Sequence, residues 1–243
     1  MPTFIISIWV KNMRKMLASA AFAVVSLATA ATASTMTVTR QDPLFGANNA
    51  LARNVNINYD GANNYVSAGM FHLTGSNGVG DFVAFCVDLA QKLGKPTQSV
   101  EEKSDLFGAS ILTNIDKLFS SVIGTSTMAS AITTGVKAAG FQIALWEIIS
   151  DDGSFNLADG KFQLKEAQNS TVWQQAQTYL DGLTNADTGK QTLTYYYSRE
   201  NQDLVTGTPN DLQEPGTVPV PASGLLILAG LGSLVAMRRR KAA

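Results

Sequence analysis

The chain has little of the residues that most reactive sites need. Its 243 residues include one cysteine, Cys86, and one histidine, His72. A single cysteine excludes an internal disulfide framework, and a single histidine excludes a histidine-rich metal site. Acidic residues are not clustered at the spacing of a calcium loop. We therefore predict neither a bound metal nor a cofactor.

Positive charge is scarce in the central part of the chain. Of the 18 Lys and Arg residues, three lie in the first 33 positions and four in the last 21, which leaves 11 between them. All 19 Asp and Glu residues lie in that central part, so its net charge is −8. Such a surface repels nucleic acid, and no basic patch offsets the repulsion. Nucleic acid is therefore not expected as a partner.

Residues 1–33 have the three-part order of a secretory signal peptide. A basic segment precedes an apolar stretch at 16–28, and small residues ending at Ala33 provide cleavage sites. Met13 is an alternative start of the protein. A signal anchor is the structural alternative, although the apolar stretch is short for a membrane span. We predict export, which makes a lone cysteine unusual because unpaired thiols are uncommon in oxidising compartments.

The last 26 residues carry a second sorting pattern. A proline-bearing motif comes first: Val218, Pro219, Val220, Pro221 and Ala222. An apolar run follows, about 21 Å long as a helix against a hydrocarbon core of about 30 Å. The chain then ends with a basic stop: Arg238, Arg239, Arg240 and Lys241.

This three-part tail resembles the PEP-CTERM sorting signals of Gram-negative bacteria, in the variant written VPLPA-CTERM. The resemblance implies a transient inner-membrane anchor with a cytoplasmic C-terminus. It also implies an exosortase-type membrane protease as a processing partner, and a product in the envelope, on the outer surface or outside the cell. A simple C-terminal membrane anchor is the alternative.

Residues 34–206 are expected to form one α+β domain, a small sheet or barrel with a helical subdomain, and 207–217 a linker. Alternating and β-branched patterns predict strands at 35–40, 64–73, 81–89 and 191–198. The second and third of these form a hairpin that turns near Asn77, opposing His72 to Phe82 and Cys86 to Ala68. Helical periodicity covers 106–122, with Ser104 as N-cap, 126–149, with a possible break at Gly140, and 171–183.

Two short motifs stand out within this domain. Phe85 and Cys86 lie in a predicted strand, and Gln142 interrupts an apolar helix that continues to Trp146. A buried carboxamide needs partners for its polar atoms, because leaving them unpaired costs about 1–3 kcal/mol. The pair resembles the thioester domains of surface adhesins, in which a strand cysteine after an aromatic residue joins a glutamine of a Q-x-x-[IVL]-W motif.

The resemblance implies an internal thioester between Cys86 and Gln142, formed with loss of ammonia. Phe85, Phe141 and Trp146 would shield the bond, and Asp88 is a candidate proton acceptor. The product would be a single-use covalent adhesin rather than an enzyme. Its partner would be a surface amine, a hydroxyl or an exopolysaccharide.

Two other functions fit the same residues. A cysteine hydrolase would use Cys86, His72 and Asp88 as nucleophile, base and orienting acid, but the expected hairpin register separates the first two by roughly 13 Å. A non-covalent surface or matrix protein would keep Cys86 as a buried free thiol, since cysteine is often a small core residue.

Overall fold

The part of the chain that the structure, a computed structural model, describes comprises residues 35–151, 153 and 155–210. Its strands are β1 (Thr35–Arg40), β2 (Ala52–Tyr59), β3 (Ala62–Gly69), β4 (Phe71–Gly75), β5 (Gly80–Cys86), β6 (Thr97–Glu102), β7 (Phe162–Leu164), β8 (Gln191–Tyr197) and β9 (Leu204–Pro209). Its α-helices are α1 (Ala109–Val122), α2 (Met128–Ala131), α3 (Gly135–Ser150) and α4 (Thr171–Asp181). This composition confirms the predicted α+β class.

Six strands close into an antiparallel barrel in the order β1-β4-β5-β9-β8-β6. The alternation in β1 explains its place there, because Met36 and Val38 are buried while the three threonines that alternate with them are exposed. A separate antiparallel sheet has the order β3-β2-β7. β2 and β3 are joined at Asp60 and Gly61, both with positive φ, as a tight hairpin turn requires.

The hairpin of β4 and β5 is confirmed, but its expected register is wrong by one residue. His72 lies opposite Val83 rather than Phe82, because four residues, 76–79, separate the last pair, Gly75 and Gly80. Asn77 and Gly78 adopt positive φ in this loop. The one-residue shift changes which side chains of β4 and β5 lie opposite each other on each face of the hairpin, because neighbouring residues of a strand face opposite sides.

The single strand expected over 64–73 is two strands in two different sheets. β3 ends at Gly69, where an added Cβ would overlap the carbonyl oxygen of Leu51. Met70 donates its N–H to that same carbonyl at 3.1 Å, and β4 begins after it. Ala68 consequently pairs with Arg53 of β2 and not with Cys86.

Helix α3 lies at the centre of the molecule. Twelve of its 16 residues are buried, because it packs on β2, β3, β7, α1 and α4. The helix is not broken at Gly140, where an added Cβ would lie 2.7 Å from the Gln175 side chain of α4. Glycine therefore permits close helix packing at this point. The break lies instead before Thr134, which caps α3 by accepting a hydrogen bond from the Lys137 N–H.

Three other boundaries differ from those expected. Helix α1 starts after Gly108, not at Ser104, and α4 starts at Thr171 as expected, capped by the Ser170 side chain, but ends at Asp181 rather than at residue 183. Strand β9 runs to Pro209, so residues 207–209 of the expected linker pair with β8 in the barrel wall. No helix within the described residues is long and apolar enough to cross a membrane.

Candidate functional site

Cys86 is the last residue of β5, and only one side of its backbone meets a strand. On that side it pairs with Leu204 of β9. On the other side, β4 ends its pairing with β5 at Phe71 and Ala84. The Cys86 N–H and C=O that point past the start of β4 therefore need partners from elsewhere, because buried backbone groups are nearly always hydrogen-bonded.

Gln142 of α3 supplies both partners. Its Oε1 accepts a hydrogen bond from the Cys86 N–H at 3.0 Å, and its Nε2 donates to the Cys86 carbonyl oxygen at 2.8 Å. Both residues are 1% exposed. The side chain acts as a substitute for the missing strand, and it brings the carboxamide carbon next to the cysteine.

The thiol of Cys86 is bound to the turn that follows β5. Its Sγ donates to the Asp88 carbonyl oxygen at 3.0 Å and accepts from the Asp88 N–H at 3.3 Å. Burial raises the pKa of the thiol to about 12, although the Asp88 N–H acts in the opposite direction. The thiol is therefore protonated at neutral pH.

Trp146 lies one helical turn after Gln142, and its indole acts to lower the pKa of the Cys86 thiol, against the larger effect of burial. Its Nε1 is buried and makes no hydrogen bond of normal geometry within the described residues. The side chain is 4% exposed.

Phe85 and Phe141 lie on the other face of β5 from the thiol, since side chains alternate along a strand. Their ring centroids are 4.5 Å apart, and Phe119 packs on Phe141 at 5.0 Å. The two phenylalanines thus hold α3 against the barrel. Of the three aromatic residues expected to shield the thiol, Trp146 is the one placed beside it.

Asp88 lies beyond β5, which ends at Cys86, so the two residues do not share a strand face. Its carboxylate caps the following turn, where Oδ1 accepts from the N–H groups of Ala90 at 2.7 Å and Gln91 at 3.2 Å. Its negative charge raises the pKa of the thiol. This position makes Asp88 a turn-forming residue and opposes its expected role as an activating base.

Asp203, which precedes β9, was not identified from the sequence. Its carbonyl oxygen accepts from the Val87 N–H at 2.9 Å, and its Oδ1 accepts from the Ser198 N–H at 2.7 Å. Burial raises the pKa of its carboxyl to about 6, and the charge of Asp88 contributes. No local pattern marks it, because its neighbours in space come from distant parts of the chain.

Glu147 is a second ionisable residue that was not identified from the sequence. It is fully buried in α3. Its Oε1 accepts from the Asn156 N–H at 2.6 Å, and its Oε2 has no partner within the described residues. Burial raises the pKa of this carboxyl to about 8. A charged residue inside the apolar run of 138–149 was the available signal.

Two cavities meet near the site and share Tyr59, Leu89 and Trp146 as lining residues. The larger has a volume of about 420 Å³ and is lined by Cys86. The smaller, of about 220 Å³, is lined by Asp88 and Asp203 but not by Cys86. A ligand in the larger cavity would therefore reach the cysteine without contacting either carboxylate.

His72 does not join this site. It lies opposite Val83, three positions before Cys86, and the alternation of β5 turns the two side chains to opposite faces. The thiol hydrogen bonds go to the Asp88 backbone. The hydrolase arrangement of Cys86, His72 and Asp88 is therefore not formed.

The predicted signal peptide at 1–33 and the sorting tail at 218–243 lie outside the described residues. Within residues 35–210, apart from 152 and 154, no cluster of His, Cys, Asp and Glu could hold a metal ion. The sorting motif and the basic stop thus stay predictions from the sequence.

Comparison with known proteins gives one structural likeness. The N-terminal thioester domain of a surface protein from Clostridium perfringens is similar to this chain, with a TM-score of 0.38 and 11% identity over 71% of this chain and 98% of that one. A TM-score of this size does not establish a shared fold. No protein-family model and no curated protein matches the chain.

Proposed function

We propose that this protein is exported to the cell surface and attaches there covalently, through an internal thioester between Cys86 and Gln142. The observation that carries the proposal is the pair of hydrogen bonds between the Gln142 carboxamide and the backbone of Cys86 itself. They support the proposal because they hold the Gln142 carboxamide against the backbone of the residue that carries the thiol, and both residues are buried. Proximity of this kind replaces much of the entropy cost of bringing two groups together.

The same contacts suggest how the bond forms. The Cys86 sulfur adds to the Gln142 carbonyl carbon, and the Cys86 N–H at 3.0 Å from Oε1 stabilises the charge that this oxygen gains. The C–N bond then breaks, and the thiol proton leaves with the nitrogen as ammonia. The Trp146 indole beside the sulfur lowers the cost of the thiolate that attacks.

Export and sorting rest on the two terminal patterns. We propose that the signal peptide directs export and that an exosortase-type protease removes the tail after about Ala222. Peptide mapping of mature protein from the native host tests this step. A mature pool that ends with the intact basic stop, Arg238 to Lys241, would contradict it.

Methylamine tests the thioester. This small amine should add to Gln142 and release a Cys86 thiol that iodoacetamide labels after denaturation, whereas untreated protein should stay unlabelled. Gln142→Ala should label without amine treatment. Equal labelling of wild type with and without methylamine would contradict the proposal.

A second function, a non-covalent surface or matrix protein, is favoured by a different observation. The Gln142 carboxamide already satisfies both Cys86 backbone groups, and burial raises the pKa of the thiol to about 12. Both features also suit an inert core cysteine. Amine-independent labelling of the wild type is the result that this function predicts.

A further inference from the structure

We infer that the larger cavity beside Cys86 binds a neutral saccharide, and that a sugar hydroxyl is the group that takes the acyl chain of Gln142. The inference rests on the proposed thioester and names its target class. The cavity, of about 420 Å³, lies within the range of about 300–1,000 Å³ that is typical of small-molecule sites.

Aromatic rings form much of the cavity wall. They belong to Phe45, Tyr59, Tyr65, Phe71 and Trp146. Tyr65 is 69% exposed on the outer strand of the three-stranded sheet. An exposed ring beside a cavity offers a flat apolar face, which suits the C–H face of a sugar ring. Water contacts this face until a ligand covers it.

The polar lining consists mainly of uncharged groups. Carboxamides come from Asn64, Gln91 and Gln202. Amides both donate and accept hydrogen bonds, as sugar hydroxyls do. The wall therefore combines apolar faces with neutral hydrogen-bond donors and acceptors. A saccharide is complementary to it, because it also has apolar C–H faces and neutral hydroxyl groups.

The charge of the cavity disfavours an amine. Lys92 is the only charged residue among its described lining residues, while Asp88 and Asp203 line the neighbouring cavity. An alkyl amine is protonated at neutral pH, with a pKa of about 10. It would meet Lys92 without a carboxylate partner. The net charge of −8 on the central chain also disfavours acidic polysaccharides, which leaves neutral ones.

The transfer is balanced without another reactant. The hydroxyl oxygen adds to the thioester carbonyl carbon, the C–S bond breaks, and the hydroxyl proton ends on the Cys86 sulfur. The products are an ester between the saccharide and the former Gln142 side chain, and a free thiol.

The test compares two nucleophiles on the native domain at an ionic strength of about 0.15 M, where net charge is screened beyond about 8 Å. The protein is incubated in separate reactions with maltohexaose and with Nα-acetyl-lysine methylamide, whose ε-amine is free, at equal concentration. Covalent adducts are followed by intact mass. We expect the saccharide adduct to form about tenfold faster, a difference of about 1.4 kcal/mol. Faster or equal addition of the lysine derivative would overturn the inference.

Variants sharpen this result. Tyr65→Ala should slow maltohexaose addition about tenfold by removing one aromatic face. It should leave methylamine addition within about twofold, because methylamine needs no ring. Val79→Ala, an exposed apolar truncation in the β4–β5 loop, is the matched control and should change neither rate. Lys92→Glu should raise the rate of the lysine derivative.

Methylamine separates the two ways to fail. If wild type reacts with methylamine but not with maltohexaose, the saccharide inference is wrong and the thioester stands. If wild type reacts with neither, both are wrong.

Discussion

Helix α3 buries two polar side chains, Gln142 and Glu147, which differ in how fully their polar atoms are hydrogen-bonded. The carboxamide of Gln142 gives one hydrogen bond and receives one, and both go to Cys86. The carboxyl of Glu147 receives one from Asn156, and its second oxygen has no partner within the described residues. A neutral group that matches its surroundings costs little when buried, whereas an acid must stay protonated to remain there.

The largest expected effect comes from removing the matched group. Gln142→Ala removes the Oε1 acceptor of the buried Cys86 N–H, at about 1–3 kcal/mol, whereas the Nε2 donor to the Cys86 carbonyl has already left as ammonia when a thioester has formed. If the thioester exists, the variant also opens a loop between residues 56 positions apart, which adds about 4 kcal/mol by the chain-entropy relation for cross-links. Urea unfolding should therefore show a loss of free energy of unfolding above about 5 kcal/mol.

A double-mutant cycle divides this loss. In the Cys86→Ala background no thioester can form and Gln142 keeps both hydrogen bonds to the backbone, so Gln142→Ala removes two bonds but no cross-link and should cost about 1–3 kcal/mol less than in wild type. Equal costs in both backgrounds would mean that Gln142 acts through hydrogen bonds alone. Gln174→Ala, at an exposed position of α4, is the control and should cost under about 0.5 kcal/mol.

The unmatched group should give a smaller effect of opposite sign. Burial raises the pKa of Glu147 to about 8, against about 4.3 for an unfolded chain. Between these values the unfolded state loses the proton and the folded state keeps it, so stability falls as pH rises from about 4.3 to 8. Glu147→Gln should remove this loss and stabilise the protein by on the order of 1–3 kcal/mol at pH 8.

The pH dependence identifies the cause of that gain. The stabilisation by Glu147→Gln should disappear near pH 4, where the wild-type carboxyl is protonated in both states. Unfolding free energies of both proteins between pH 4 and 8 provide the measurement. A gain that is the same at every pH would point to packing rather than to protonation.

Asp203 is a third buried polar residue, and its pKa is raised less than that of Glu147. We therefore expect its replacement to have the smallest effect on stability. Burial raises the pKa of its carboxyl to about 6, while Lys103 acts to lower it. Stability should therefore fall between about pH 4 and 6 as pH rises, and Asp203→Asn should recover on the order of 1 kcal/mol above pH 6. Asparagine keeps an acceptor for the Ser198 N–H. A loss of stability at pH 7 would show that the charge of Asp203 is needed.

The sequence predicted those parts of the fold that depend on local pattern. Strand β1 follows from the alternation of Met36 and Val38. Helix α4 lies within the predicted range 171–183, and its buried residues, Val172, Trp173, Ala176 and Leu180, follow the helical periodicity. The Asp60-Gly61 turn between β2 and β3 has an equally local signal in its Asp-Gly pair.

Other features depend on contacts between distant residues. The break at Met70 is set by the close approach of Gly69 to Leu51, and the one-residue shift of the β4–β5 register is set by its four-residue loop. The residues of the candidate site likewise include some that local motifs indicate and some that only distant contacts bring together. Two motifs predicted that Cys86 and Gln142 belong together, but Asp203 approaches through β9 and carries no motif.

The central claim is that the Cys86 sulfur is joined to the Gln142 acyl carbon, and the intact mass of freshly purified native domain tests it most directly. The account predicts a mass that is one ammonia below the sequence mass, and no deficit in Cys86→Ala or Gln142→Ala. Full sequence mass in the wild type, together with stoichiometric iodoacetamide labelling under denaturing conditions without amine treatment, would contradict it.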